Sequence, residues 1–110
     1  MKRIKWNEKA KKFVRTLNNE TKKEIGSQLM LLQSGRSLGP PQSKPMKSIH
    51  PNAHEIRVKD EKGIYRIIYV LCIGEHILIP HAFVKKTQKT PKKEIDISIK
   101  RLKEMLYEIK

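Results

Sequence analysis

The stretch from His81 to Glu94 holds the residues best suited to chemistry in this chain. An apolar run, Ile77 to Ile79, leads into one histidine and a dense set of lysines, and Thr90-Pro91 then opens a segment typical of a helix. Cations at the end of a strand are well placed to hold a chain of phosphates, so RNA is the leading candidate ligand. The same lysines are also consistent with a solvated charged surface, since a run of charge is weak evidence by itself.

Two predicted strands before this stretch combine a carboxylate with guanidinium groups. Alternation places Glu55, Arg57 and Lys59 on one face of the first strand, with apolar residues on the other. Arg66 lies inside the next and most apolar strand. It is either an ion-pair partner for a nearby carboxylate such as Glu55 or a positive group presented on the open face of the sheet.

Two histidines are candidates for proton transfer. Strict alternation places His81 on the same side of its strand as Ile77, Ile79 and Phe83, which predicts a half-buried ring. Pro80 could turn the side chain elsewhere, because proline cannot donate to the ladder and favours a bulge. His54 follows a proline-containing loop, and we expect it to be accessible.

The sequence does not predict a metal or cofactor site. His50 and His54 are four residues apart, but Pro51 between them prevents the helix that would align them. The chain has no Gly-rich phosphate loop, serine nucleophile elbow or paired-cysteine motif. The remaining Glu, Arg, His and Lys side chains suit metal-free RNA cleavage, in which a 2′-hydroxyl attacks its neighbouring phosphate.

Composition limits the possible partners. The 110 residues predict a single domain over 1–110, and 25 Lys and Arg against 11 Asp and Glu give a net charge of +14. This charge attracts polyanions such as nucleic acid, an anionic membrane or an acidic protein. One cysteine allows no internal disulfide, and no apolar run approaches a membrane span of about 20 residues or a secretory signal. We therefore expect a cytoplasmic protein with no membrane partner.

The first third of the chain predicts a helical hairpin. Asn7 can cap a helix over about residues 8–17, whose apolar residues recur at helical spacing. Thr21 with Glu24 three residues later forms a capping box that would begin a second helix. Residues 35–53 contain many Gly and Pro and predict a loop inside one domain.

The rest of the chain predicts an antiparallel sheet and one more helix. Ile4 to Trp6 can form a short first strand, and segments 55–59, 64–71 and 77–84, joined by short turns, predict a meander. Thr90 as cap and Pro91 as first helical residue begin the last helix. Its apolar stripe, which we expect to pack on the sheet or the hairpin, comprises Ile95, Ile99, Leu102, Leu106 and Ile109.

Three segments carry a resemblance to a known family. The runs His54–Lys59, Gly63–Tyr69 and His81–Pro91 resemble the HigB branch of the RelE/ParE toxin superfamily, including its phage-derived relatives. The resemblance extends over roughly residues 20–107, and the run from Phe-Val-Lys-Lys-Thr to Lys-Thr-Pro is its most specific part. It implies a small α+β RelE-like domain with an N-terminal helical hairpin, an antiparallel β-meander and a C-terminal helix.

The resemblance also implies an activity and a partner. Such a protein is the toxin of a type II toxin–antitoxin system and a ribosome-dependent endoribonuclease, or mRNA interferase. It cleaves mRNA in the ribosomal A site by metal-free 2′-hydroxyl attack and so inhibits translation, with no cofactor. The implied partners are mRNA, the ribosome and a cognate antitoxin, a HigA-like helix-turn-helix protein that forms a hetero-oligomer with the toxin.

By position, the resemblance assigns roles to four cations. Arg57 is the cation on the strand after the hairpin, and Arg66 is expected to contact the scissile phosphate. Lys85 and Lys86 are the basic pair expected to stabilise charge in the transition state. Six further lysines are assigned to contacts with RNA or the ribosome: Lys44, Lys47, Lys59, Lys89, Lys92 and Lys93.

The proton donors and acceptors are less well defined, because the chain departs from the family pattern. Glu55 stands where RelE itself has a lysine, and no tyrosine follows the basic pair. Glu55 or His54 is the candidate general base, and His81 or Lys86 is the candidate general acid. The alternative is a non-catalytic basic module that binds nucleic acid or an antitoxin, in which the same lysines contact phosphates without a positioned base.

Overall fold

The computed structural model describes residues 1–85 and 89–109 of the chain, with the backbone alone at 72 and 73. Two consecutive helices and four consecutive strands give the α+β class that the sequence predicts. Among the described helices, none combines the length and apolar character needed to cross a bilayer. In chain order the elements are β1 (Arg3–Trp6), α1 (Glu8–Arg15), α2 (Asn19–Gln33), β2 (Ser43–Pro45), β3 (Ala53–Asp60), β4 (Gly63–Ile73), β5 (His76–Lys85) and α3 (Lys92–Ile109).

The strands form a five-stranded sheet in the order β1-β5-β4-β3-β2. The predicted antiparallel meander, β3 to β5, is its centre, and β1 adds to β5 in parallel. β2 is a strand within the segment predicted to be a loop, and it pairs antiparallel with β3. Pro45 is tolerated there because β2 is an edge strand, where a missing N–H breaks no further ladder.

Helices cover the sheet on both faces. We call the face under α1 and α2 the hairpin face, and the face under α3 the α3 face. The buried side chains of the hairpin face pack against α1 and α2, and those of the α3 face pack against Leu102 and Met105. The predicted stripe of α3 therefore packs on the sheet. The sheet residues that define the hairpin face are Ile56, Val58, Tyr65, Ile67, Tyr69, Ile77, Ile79 and Ala82, and those of the α3 face are Ala53, Ile68, Val70, Leu78 and Phe83.

Asparagine side chains begin both helices of the hairpin. Asn7 Oδ1 accepts hydrogen bonds from the N–H groups of Lys9 and Ala10, as predicted. The second helix begins earlier than the sequence predicts, because Asn18 Oδ1 accepts the Thr21 N–H at 2.8 Å. The capping box that starts at Thr21 is therefore wrong. Asn is at least as good an N-cap as Thr, and Asn18 comes first along the chain.

A bulge in β5 decides which side chains enter the α3 face. Between the pairs Ile68–His81 and Val70–Leu78, β5 has one residue more than β4. The extra residue falls beside Pro80, which cannot donate to the ladder. Alternation therefore reverses across Pro80.

The reversal corrects the prediction for His81. Ile79 packs in the hairpin face, whereas Phe83 packs in the α3 face and its ring stacks on His81 at 5.0 Å between centroids. Strict alternation is therefore confirmed for Phe83 but wrong for Ile77 and Ile79, because of the added residue. The His81 ring consequently lies on the same face of the sheet as Glu55 and the arginines.

The cap at Asn18 gives a direct test of where α2 begins. We expect Asn18→Ala to lower the free energy of unfolding by about 1 kcal/mol, because the Thr21 N–H loses its acceptor. Glu24→Ala should change it by less than about 0.5 kcal/mol, since Glu24 is exposed inside the helix. Urea denaturation measures both values, and a loss confined to Glu24→Ala would instead support the capping box.

Candidate functional site

Basic residues from β3, β4 and β5 meet on the α3 face. Arg57 and Arg66 are directly opposite each other in the β3–β4 ladder, and Lys85 is opposite Ile64 in the β4–β5 ladder. Side chains of directly paired residues leave the sheet on the same side. Two arginines in that position repel each other, so the pair requires a nearby negative charge.

Glu55 supplies that negative charge from within the sheet. Its side chain has no solvent exposure, and Oε1 lies 3.0 Å from Arg57 Nε and 4.0 Å from Arg66 Nε. Oε2 accepts a hydrogen bond of 2.7 Å from the hydroxyl of Thr90. Both carboxylate oxygens are therefore engaged. An RNA hydroxyl cannot reach Glu55 in this conformation, although the residue lies at the centre of the face.

Arg66 is also fully buried. Its NH1 donates to Thr90 Oγ1 at 3.1 Å, so that hydroxyl joins the guanidinium to Glu55. Burial lowers the pKa of Arg66, whereas the Glu55 charge raises it and the Arg57 charge lowers it. The guanidinium remains charged at any physiological pH. Of the two interpretations of Arg66, the structure has the ion pair with Glu55.

His81 is held between two charged residues of α3. Its Nε2 lies 2.8 Å from Glu94 Oε1, and Arg101 NH1 lies 2.9 Å from its Nδ1. A guanidinium can only donate, so Nδ1 must be the acceptor and the proton is on Nε2, from which it is donated to Glu94. Burial lowers the pKa of His81, the Glu94 contacts raise it and the Arg101 charge lowers it. The ring is neutral at pH 7, with both nitrogens engaged.

Other cations of the face reach solvent. The side chains of Arg57 and Lys85 are 22% and 38% exposed, and Lys85 Nζ lies 3.9 Å from Glu94 Oε2. Lys44, opposite Glu55 in the β2–β3 ladder, is half-buried and leaves the sheet on this face. A hollow of about 380 Å³ adjoins Arg57, and its lining residues are Glu24, Pro41, Gln42, Arg57, Lys59 and Ile64.

Several predicted site residues lie elsewhere. His54 is on the hairpin face, where its ring stacks on Tyr69 at 5.3 Å, because consecutive strand residues point to opposite faces. Lys47 is exposed in the loop after β2. Lys89, Lys92 and Lys93 are exposed around the start of α3. Lys86, half of the predicted basic pair, lies outside the described residues.

Three residues of the site were not predicted from the sequence. Thr90 was expected to cap α3, yet the helix begins at Lys92 and the Thr90 hydroxyl joins Arg66 to Glu55. Glu94 and Arg101 were not singled out at all. Their spacing of seven residues places them on one face of a helix, and that spacing was the available signal. In the described ranges, no three His, Cys, Asp or Glu side chains are grouped to hold a metal ion.

The buried ion pair predicts a large effect on stability. We expect Arg66→Ala to lower the free energy of unfolding by about 3–5 kcal/mol, because it leaves Glu55 as a poorly compensated buried charge. Lys85→Ala is the control, with an expected change of about 0–1 kcal/mol for a partly exposed pair. Urea denaturation distinguishes them, and equal small changes would contradict a structural role for Arg66.

The neutral His81 ring predicts a dependence of stability on pH. Its pKa is lowered in the folded state, so between that value and about 6.5 the unfolded chain binds more protons. The contribution of His81 to the free energy of unfolding is therefore complete above about pH 6.5 and decreases as the pH falls. Denaturation curves from pH 8 to 5 should show less dependence in His81→Gln, whereas His50→Gln, a loop control, should keep it. Unchanged dependence in His81→Gln would contradict the assignment.

The chain is similar to known proteins in sequence and in fold. Residues 12–103 match the family model described as phage-derived protein Gp49-like (DUF891), whereas no curated protein matches the chain significantly. A free-state variant of E. coli toxin RelE is similar with a TM-score of 0.64 and 16% identity, over 92% of this chain and 97% of that chain.

Two further solved structures are similar. Isolated E. coli RelE in its P21 form has a TM-score of 0.54 and 14% identity, over 93% of this chain and 99% of that chain. A chain of the intact E. coli RelBE toxin–antitoxin complex has a TM-score of 0.50 and 17% identity, over 79% and 100%. The TM-scores show that the fold is shared with RelE. The family match shows that this chain belongs to the phage-derived Gp49-like family.

Proposed function

We propose that this chain is the toxin of a type II toxin–antitoxin system, of the HigB branch. Its activity is that of a ribosome-dependent endoribonuclease that cleaves mRNA in the A site and inhibits translation. The proposal is supported by the RelE fold and by the Gp49-like family match. The observation that carries it is the grouping of Arg57, Arg66 and Lys85 on one face of the sheet, where Arg57 also lines an open hollow.

The chemistry follows from charge at the scissile phosphate. When the 2′-hydroxyl oxygen attacks phosphorus, negative charge increases on the non-bridging oxygens. Cations already held in place stabilise that charge without reorganisation. Arg57 and Lys85 reach solvent and are the residues assigned to contact the phosphate. Lys86, the next residue, is assigned to the same cationic group by the resemblance.

Arg66 takes a different role in this proposal from the direct contact that the resemblance implies. It is buried behind the face, where it pairs with Glu55 and Thr90. Glu55 in turn fixes the Arg57 guanidinium at 3.0 Å. Arg66 is thus a positioning residue that holds Arg57 ready for the phosphate.

The exposed lysines suit binding to ribosomal RNA. The net charge of +14 favours association with a polyanion and makes the affinity dependent on salt. Six lysines are assigned to contacts with RNA or the ribosome: Lys59 lines the hollow, two lie in or just after β2, and three lie around the start of α3. They are Lys44, Lys47, Lys59, Lys89, Lys92 and Lys93.

A cognate antitoxin is the proposed protein partner. The RelBE complex, one of the similar structures, contains a toxin and its antitoxin. We assign this chain a HigA-like helix-turn-helix partner and a hetero-oligomeric complex. A basic face of this kind favours an acidic segment of the antitoxin, which would inhibit the toxin by occupying the phosphate site.

Loss of the exposed cations tests the activity. We expect Arg57→Ala with Lys85→Ala to slow mRNA cleavage on purified programmed ribosomes by about 100-fold or more, because both stabilise charge in the transition state. Lys12→Ala with Lys23→Ala, which removes the same charge from α1 and α2, is the control and should cleave the mRNA at the wild-type rate and positions. Mapping of the 5′ ends of mRNA after brief induction in a bacterium gives the cleavage sites in the cell.

Two outcomes would contradict this proposal. Full cleavage by the Arg57→Ala, Lys85→Ala variant would show that this face is not the site. Uncut mRNA with the wild-type chain, together with tight salt-sensitive RNA binding, would favour the non-catalytic binding module.

A further inference from the structure

We propose that Glu94 is the general base that accepts the proton of the attacking 2′-hydroxyl. This inference rests on the proposed function and assigns a residue that neither the motif run nor the resemblance identifies. Glu94 lies in the first turn of α3, and its side chain is 12% exposed. It is therefore a carboxylate at the edge of the cationic face rather than inside it.

The contacts of Glu94 leave one oxygen facing the exposed lysine. Oε1 accepts the Nε2–H of His81 at 2.8 Å, which fixes the orientation of the carboxylate. Oε2 lies 3.9 Å from Lys85 Nζ and accepts no hydrogen bond from the residues that the structure describes. A bound phosphate held by Lys85 would bring its neighbouring 2′-hydroxyl close to this oxygen.

The other candidate bases are less suited in this conformation. Glu55 has no exposure, and its oxygens are engaged by Arg57 and Thr90. His54 is on the opposite face of the sheet. His81 uses one ring nitrogen to donate to Glu94 and the other to accept from Arg101.

The surroundings of Glu94 explain how a carboxylate can serve as a base there. Arg101 fixes the His81 proton on Nε2, so His81 orients Glu94 as a neutral donor rather than as a cation. Lys85 is the charged group that faces Glu94 from β5, and Arg101 faces His81 from α3. Oε1 is thus occupied by a neutral donor, and Oε2 is the oxygen left to accept a proton.

The reaction balances with Lys85 as the acid. Glu94 Oε2 takes the proton from O2′ while O2′ forms a bond to phosphorus. The bond between phosphorus and O5′ breaks, and the Lys85 ammonium gives its proton to O5′. The products are a 2′,3′-cyclic phosphate and a 5′-hydroxyl. Transfer of the proton from Glu94 to the Lys85 amine, over the 3.9 Å that separates them, restores both groups.

The test measures cleavage of mRNA on purified programmed ribosomes by the full chain. We expect Glu94→Gln to reduce the single-turnover rate by about 100-fold to 10,000-fold, the usual contribution of a positioned base. Asp96→Asn, which removes one exposed carboxylate from the same helix, is the matched control and should cleave at the wild-type rate.

A sulfur-substituted substrate separates the base from the acid. Replacing the bridging 5′-oxygen with sulfur gives a leaving group that needs no proton. We expect this substrate to restore the rate of Lys85→Ala and to leave Glu94→Gln slow. A residue that only supports the fold would not produce that difference. Glu94→Asp keeps the charge and should retain intermediate activity. It replaces Glu94→Gln in the test if thermal denaturation shows that Glu94→Gln is not folded.

The possible results are distinct. Cleavage by Glu94→Gln at the wild-type rate, or equal rescue of Glu94→Gln and Lys85→Ala by sulfur, would overturn the role of Glu94 and leave the proposed function intact. Loss of activity in Glu24→Gln but not in Glu94→Gln would overturn the role of Glu94 and move the base to the hollow that Arg57 lines. A wild-type chain that cuts neither substrate would contradict the proposed function itself.

Discussion

A carboxylate without solvent exposure holds the basic face together. Glu55 lies between two arginines that would otherwise repel each other across neighbouring strands. Thr90 donates to the same carboxylate, so the start of α3 is tied to the sheet at this point. Removing one partner from such a buried ion pair strongly lowers the free energy of unfolding, because the remaining charge stays buried and cannot be hydrated. The position of the exposed Arg57 therefore depends on groups that solvent does not reach.

The bulge at Pro80 is the second constraint. Without the added residue, the His81 ring would lie among the apolar side chains of the hairpin face, away from the charged groups of α3 that bond its nitrogens. With it, the ring reaches Glu94 and Arg101 on α3. Bulges are frequent next to functional sites because they re-aim one side chain without changing the rest of the strand. The bulge thus connects β5 to the first three turns of α3.

Much of the fold could be predicted from the sequence, because its elements are encoded by local patterns. Alternation and short turns define β3 to β5, and helical spacing defines α1 and α3. β2 was missed because three residues that include Pro45 carry no periodic signal. The choice of Asn18 over Thr21 as cap was also missed, since both residue types suit that position.

The site was less predictable, because it depends on tertiary contacts. Alternation grouped Glu55 with Arg57, but it cannot tell how deeply either is buried. Burial of Arg66 depends on how Thr90 and α3 lie against the sheet, which no local pattern specifies. The side of His81 depends on the register of β5 relative to β4. Glu94 and Arg101 acquire their significance only from contact with that ring.

The glutamate at position 55 shapes the division of roles in this chain. A lysine there, as the resemblance describes for RelE itself, would add a third cation beside Arg57 and Arg66 with no countercharge. With glutamate, the charge of the two arginines is partly neutralised and Arg66 can be buried, so Arg66 acts from behind the face. A buried carboxylate whose two oxygens are both engaged, as those of Glu55 are, is a poor acceptor for a proton from a bound substrate. In the proposed reaction the proton therefore goes to a group at the edge of the face, where the first turn of α3 supplies a carboxylate beside Lys85.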